Sequence, residues 1–218
     1  MSDTKAPRGA WGSAGLPLLT GAVSAIAAVM CVNGQASVLE AVSFVTGAVC
    51  VWLTVRESVW NFPIGLVNTA TFFVVFVESR LYGDATLQVI YFILGLSGWH
   101  QWLFGGQNRT ALLVSRAPLP EMRSLGGVVV AGAIVLWQAL HALGGAATFW
   151  DATTTSLSLG AQWLLNRKRV QNWDLWILAD AIYVPLYLAR GLTLTAMLYA
   201  VFLGMAFAGR RRWRGLLP

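Results

Sequence analysis

Leu125–Leu143, LGGVVVAGAIVLWQALHAL, runs for nineteen residues without an Asp, Glu, Lys or Arg. A helix of that length crosses the roughly 30 Å hydrocarbon core of a bilayer. Seven further apolar runs flank it, near Gly15–Val32, Val38–Val55, Trp60–Val77, Asp84–Phe104, Phe149–Leu165, Trp173–Leu188 and Thr193–Ala208. None carries the alternation of an outer-membrane strand, and a segment in lipid must satisfy its backbone polar groups internally. The expected fold is therefore an all-α integral membrane protein with eight transmembrane helices. Composition agrees: of 218 residues, 57% are hydrophobic and 11% charged, with 22 Gly, 11 Trp and a mean hydropathy of +0.64. Soluble domains carry about 25% charged residues, so a soluble, disordered or coiled-coil chain is excluded.

A net charge of +6 and a pI near 9.9 do not point to nucleic acid, because the basic residues sit in short clusters between apolar runs. Positive-inside topology accounts for them. With a cytoplasmic N-terminus, eight spans place Lys5, Arg8, Arg56, Arg109, Arg116, Arg123, Arg167, Lys168, Arg169, Arg210, Arg211, Arg212 and Arg214 on the cytoplasmic side. Only Arg80 and Arg190, of 15 basic residues, remain outside. Adding or removing one span destroys this partition. The first run is long and has no prompt small-residue cleavage site after it, so it reads as an uncleaved helix and not as a signal peptide. Cys31 and Cys50 both lie in apolar runs and read as reduced thiols; neither has the His or Cys neighbours of a metal site.

Aligned with itself at an offset of 110 to 113 residues, the chain brings Arg56 onto Arg169, Trp60 onto Trp173, Arg80 onto Arg190, Gly98 onto Gly209 and Trp102 onto Trp213. This suggests two three-helix units, spans two to four and six to eight, with span five between them. Three helices plus one is an even number, so the units enter the membrane in the same direction as parallel repeats. The expected organisation is a cytoplasmic N-terminus and extra helix (1–37), a first repeat (38–104), a cytoplasmic loop and linker helix (105–147), a second repeat (148–209) and a basic cytoplasmic tail (210–218).

Polar side chains inside spans are costly, about 2.5–3.5 kcal/mol for a central Asp, and invite a functional reading. In the seventh span Trp173, Trp176, Asp180, Tyr183 and Tyr187 are spaced by three or four and share one helical face. Aromatic rings around one carboxylate suit a flat, cationic ring. The fourth span presents Asp84, Gln88, Tyr91, Gly95, Gly98 and Trp102, with Asp84 placed to cap its start. The sixth presents Asp151, Thr155, Ser158, Gln162 and Asn166. The third carries Asn61 and Asn68, with Pro63 in its first turn. Each amide taken alone is as well suited to joining helices as to holding a ligand; their convergence from four helices favours a substrate site of Asn68, Gln88, Tyr91, Thr155, Gln162, Trp173, Trp176, Asp180, Tyr183 and Tyr187. The chain has no phosphate-cradling loop and no nucleophile with a base, so no enzyme activity, cofactor or metal is expected.

Trp60-Asn-Phe-Pro-Ile-Gly, Leu81-Tyr-Gly-Asp-Ala-Thr-Leu-Gln88 and Gly98-Trp-His-Gln-Trp102 resemble the first repeat of the PnuC family of bacterial vitamin transporters. Ala161-Gln162, Trp173-Asp-Leu-Trp176, Asp180, Tyr183 and Leu194-Thr-Ala-Met-Leu-Tyr199 resemble its second. The resemblance implies two parallel three-helix bundles joined by one helix (3+1+3), related to the SWEET sugar facilitators, in the bacterial cytoplasmic membrane. It implies import of nicotinamide riboside by facilitated diffusion, trapped by a cytoplasmic kinase, with ring stacking on Trp173 or Trp176 and polar contacts from Gln88, Asp180 and Tyr183. Thiamine, riboflavin or a deoxynucleoside are the alternatives in the same fold. A membrane scaffold whose polar residues only join helices is the alternative of another class, and an ion-coupled symporter ranks below the facilitator. The sequence permits a homo-oligomer without specifying one.

Overall fold

The computed structural model describes residues 15–34, 38–78, 82–142, 148–189, 191 and 193–217. Lys5, Arg8, Arg80 and Arg190, used above for orientation, lie outside the described residues, as does the Asp84 side chain. Eight helices follow one another: α1 Gly15–Val32, α2 Val38–Val55, α3 Asn61–Glu78, α4 Tyr82–Phe104, α5 Leu119–Ala142, α6 Thr148–Asn166, α7 Asn172–Ala189 and α8 Thr193–Arg214. No strand occurs among the described residues.

Two helices outrun their apolar stretches. α5 begins at Leu119 and not Leu125, because Pro120 suits a first turn and Glu121 there faces the positive end of the helix dipole. α8 continues past Ala208 to Arg214, its last turn holding Arg211, Arg212 and Arg214 against the negative end. The basic segment after residue 209 is thus mostly helix.

Helices α2, α3 and α4 pack consecutively, as do α6, α7 and α8; α5 lies against α6, and α1 against α2 and α8. The triplets meet where α2 packs on α8 and α4 on α6. Helix α5 buries none of its described residues, and its Val128, Val130 and Val135 are each at least 60% exposed. Exposure of this many large apolar side chains marks a surface made to meet a membrane or another protein. Helices α3 and α5 are each long and apolar enough to cross a membrane.

The two triplets repeat each other in detail, in a register of 111 residues. Trp102 Nε1 donates to the Leu165 carbonyl (2.9 Å), and Trp213 Nε1 to the Thr54 carbonyl (3.2 Å). Phe62 meets Trp102 edge-on at 5.0 Å, and Trp173 meets Trp213 edge-on at 5.5 Å. Asn61 Nδ2 donates back to the Ser58 carbonyl, and Asn172 Nδ2 to that of Arg169. Arg56 lies over Trp52 as Arg167 lies over Trp163. Such reciprocal pairs are what a two-fold relation produces. The structure thus corrects two of the expected repeat pairs: Arg56 corresponds to Arg167 and not Arg169, and Trp173 to Phe62 and not Trp60. Trp60 is 66% exposed where Trp173 is 2% exposed. Trp102 and Trp213, in the last turns of α4 and α8, stand 5.8 Å apart, so these two helices finish beside each other.

Gly98 and Gly209 allow this close packing. A Cβ on Gly209 would stand 2.5 Å from Trp173 Cζ2, and one on Gly98 would strike Phe62 and Asn166. Overpacking of this kind costs about 1–3 kcal/mol. Gly209→Ala and Gly98→Ala are each expected to lower the thermal midpoint of the detergent-purified protein by several degrees, read from the loss of its monodisperse gel-filtration peak; Gly126→Ala, which meets open space, should not.

Candidate functional site

A cavity of about 470 Å³ lies between the triplets, within the range of small-molecule sites. The 111-residue register runs through its lining, where Phe44 answers Thr155, Val51 answers Gln162, Gly65 answers Trp176, Thr69 answers Asp180, Phe72 answers Tyr183 and Gln88 answers Tyr199. Its two halves differ in chemistry. The α2–α4 half contributes four Phe and three Gly with the uncharged polar residues Thr54, Asn61, Asn68, Thr69, Gln88 and Tyr91; the α6–α8 half contributes the carboxylate, two indoles, three phenols and Gln162.

All ten residues expected from the sequence, Asn68, Gln88, Tyr91, Thr155, Gln162, Trp173, Trp176, Asp180, Tyr183 and Tyr187, line this cavity. Their surroundings separate them. Asn68 Nδ2 donates to the Ser43 carbonyl (2.5 Å) and to Thr46 Oγ1 (3.0 Å), fastening α3 to α2. Gln162 Nε2 donates to Asn166 Oδ1 (2.9 Å), whose own amide donates to the Leu94 carbonyl (2.8 Å) and so ties α6 to α4. Trp173 is 2% exposed, wedged against Trp213 and Gly209, and its indole N–H has no partner among the described residues. Trp176 is half-buried and offers more of its ring.

Asp180 is 5% exposed on α7. One turn beyond it, Pro185 removes the N–H that would reach the Ala181 carbonyl. Tyr183 and Tyr187 stack at 5.7 Å, and Tyr199 of α8 closes on both, at 4.6 and 5.1 Å. Phe72 and Phe76 stack in the same way at 5.6 Å in the first triplet. The expected site leaves out Thr69, and also Ser158 and Tyr199, which the sequence singled out only as part of a polar helix face and of a repeat motif; all three line the cavity. Tyr199 and Thr69 would have been found at the 111-residue register as the mates of Gln88 and Asp180. Of the other polar residues on the same faces, Trp102 lies outside the lining, in the aromatic core at the ends of α4 and α8.

The sequence model of the nicotinamide mononucleotide transporter family matches residues 37–215. The chain belongs to that family. It is 29% identical over 201 residues to the nicotinamide riboside transporter PnuC of Escherichia coli K12, covering 80% of this chain and 84% of that one. It is 25% identical over 186 residues to the riboflavin/roseoflavin transporter RibM of Streptomyces davaonensis, covering 80% and 83%. The crystal structure of the vitamin B3 transporter PnuC shares the fold, with a TM-score of 0.73 and 23% identity over 95% of this chain and 93% of that one. Like the rest of the nicotinamide mononucleotide transporter family, the chain is a multi-pass membrane transporter.

The bonds of Asn68 make a prediction that separates it from Asp180. Asn68→Ala removes two interhelical hydrogen bonds, on the order of 0.6–2 kcal/mol in a membrane protein, and is expected to lower the thermal midpoint measurably. Asp180→Asn keeps shape and volume and should leave it within a degree or two; a midpoint that falls more for Asp180→Asn than for Asn68→Ala refutes the distinction.

Proposed function

We propose that this transporter imports nicotinamide riboside by facilitated diffusion across the bacterial cytoplasmic membrane. The observation that carries the reading is the grouping of Asp180, Trp176 and the three tyrosines on one side of the cavity. A pyridinium ring stacks on an indole face, its charge is balanced by the carboxylate, and the tyrosines supply further cation–π attraction. Gln88 and Gln162 suit the carboxamide and the ribose hydroxyls, each amide being both donor and acceptor. Trp173, with its ring edges packed away, serves as a wall that presents one N–H, and Asn68 holds the wall opposite. The PnuC relatives, named for nicotinamide riboside, support this assignment. Riboflavin, which the RibM relative is named for, brings no cation to Asp180.

All eight helices span the membrane in this reading, as an extra helix followed by two parallel bundles of three joined by α5. Both termini face the cytoplasm, by the distribution of Lys and Arg. Facilitated diffusion needs no ion site, and phosphorylation of the substrate by a cytoplasmic kinase keeps the inside concentration low. The chain itself does no covalent chemistry.

Titration of the purified protein with nicotinamide riboside, thiamine, riboflavin and a deoxynucleoside, followed by tryptophan fluorescence, tests the assignment. Saturable quenching by nicotinamide riboside is expected, with thiamine weaker and riboflavin without effect. Removing the charge partner of a buried cation costs about 2 kcal/mol or more, so Asp180→Asn should raise Kd roughly thirtyfold with the fold intact. Gln88→Ala should weaken binding less. Uptake into proteoliposomes should not depend on a proton or sodium gradient. Saturable binding of riboflavin in place of nicotinamide riboside would overturn the substrate, and variants that lose stability without losing affinity would favour a scaffold.

A further inference from the structure

Helices α2 and α6 end in the same turn. Glu57 N–H bonds the Thr54 carbonyl and Ser58 N–H the Leu53 carbonyl; Lys168 N–H bonds that of Leu165 and Arg169 N–H that of Leu164, all at 2.9 Å. This double bond pattern closes a helix through a residue in left-handed backbone, a position that usually falls to glycine. Here the residues are Glu57 (φ 60°) and Lys168 (φ 49°). Both carry a Cβ that this conformation disfavours. Strain retained at equivalent positions in both repeats points to a use.

The use is visible across the two-fold relation. Lys168 Nζ donates to Glu57 Oε1 at 2.7 Å, between two residues 111 apart in sequence. Mates of a two-fold pair face each other only on its axis, and two like charges there would repel; one repeat has a carboxylate, the other an ammonium. Lys168 is 5% exposed and stands 4.4 Å from the centroid of the Trp102 ring, while the Glu57 side chain is 25% exposed. Directly beneath are Thr54 and Leu165, which line the cavity and whose carbonyls receive Trp213 and Trp102.

We infer that Glu57 and Lys168 form the latch of the gate that closes the cavity toward the end where α2 and α6 finish, the cytoplasmic end under the function proposed above. The indole contacts beneath it are apolar packing and hydrogen bonds of 2.9 and 3.2 Å, which part when the triplets separate. The ion pair sits at the rim, where both partners can be hydrated once parted, so the energy difference between latched and open is small enough to reverse at each turnover. Glu57 and Lys168 are positioning residues: they touch each other and not the substrate.

The test needs no substrate, so it stays readable should nicotinamide riboside fail to bind. Val51 lines the cavity near the latch. Val51→Cys is placed in a Cys31→Ala/Cys50→Ala background, reconstituted in liposomes, and labelled with a membrane-impermeant maleimide added at the latch face. Labelling is expected to be slow with the latch intact and to rise roughly fivefold or more with Glu57→Gln or Glu57→Lys. The double exchange Glu57→Lys/Lys168→Glu should return it to the slow rate. Equal rates in the intact protein and in Glu57→Gln overturn the latch, as does a double exchange that labels as fast as Glu57→Lys. Glu57→Gln keeps size and shape at the more exposed partner of the pair and carries the test even where charge reversal prevents folding. The face at which the reagent gains entry reports the orientation separately.

Discussion

The structure depends on two indole hydrogen bonds that cross each other. Trp102, ending the first triplet, donates to the last turn of α6 in the second, and Trp213, ending the second, donates to the last turn of α2 in the first. A helix end leaves carbonyls without intrahelical partners, and in or near lipid such groups are expensive. Here each of the two carbonyls takes one N–H from the turn that closes its own helix, Glu57 on Thr54 and Lys168 on Leu165, and an indole N–H from the other triplet on its second lone pair. The bonds hold the ends of α2, α4, α6 and α8 together. The cavity reaches down to that junction, where Thr54 and Leu165 belong to its lining.

Placing the helices required little more than the sequence, because in a bilayer the apolar run is the structural constraint. Six of the eight helices begin and end within three residues of their runs. The exceptions, α5 and α8, are lengthened by polar turns that hydropathy does not register but helix-dipole chemistry does. The repeat was legible and its register was not. Trp60 and Trp173 are the same residue type with the same spacing from an arginine, yet one is on the surface and the other in the core; tryptophan's abundance at membrane interfaces makes identity a poor guide to equivalence. Contacts are a better one. Phe62 and Trp173, different residues, each meet a tryptophan edge-on and each leave room only for glycine at the facing position.

The candidate site was legible to the extent that a polar side chain within a span must turn inward. That rule gathered ten of the lining residues, from four helices. It could not tell a residue that faces the cavity from one that faces it while already bonded to another helix. Asn68 and Asp180 satisfy the same pattern, but Asn68 is held by Ser43 and Thr46. Nor could the pattern find Tyr199, whose phenol completes the cluster with Tyr183 and Tyr187. An aromatic at a helix beginning reads as an interface anchor until the helices are assembled around it.

The repeats are alike in one region and unlike in another, and the physics of each region explains the contrast. At the closed end, residues touch their own mates or the neighbours of their mates: Trp102 meets Trp213, and Gly98 admits Phe62 as Gly209 admits Trp173. A change there in one repeat must fit against the other, so the two stay matched; only Glu57 and Lys168, which have to attract across the axis, differ in sign. Within the cavity lining the mates differ in kind: Gly65 stands where the second repeat has Trp176, Thr69 where it has Asp180 and Phe72 where it has Tyr183. Were both halves to carry Trp and Asp, two carboxylates and two indoles would share about 470 Å³, with the charges repelling and little room left. A ligand with a flat cationic end and a hydroxylated end has no two-fold symmetry of its own. A site built on a two-fold scaffold can hold it in one orientation only if one half supplies the charge and the stacking face while the other gives up volume, and Gly65 is where that volume is given up.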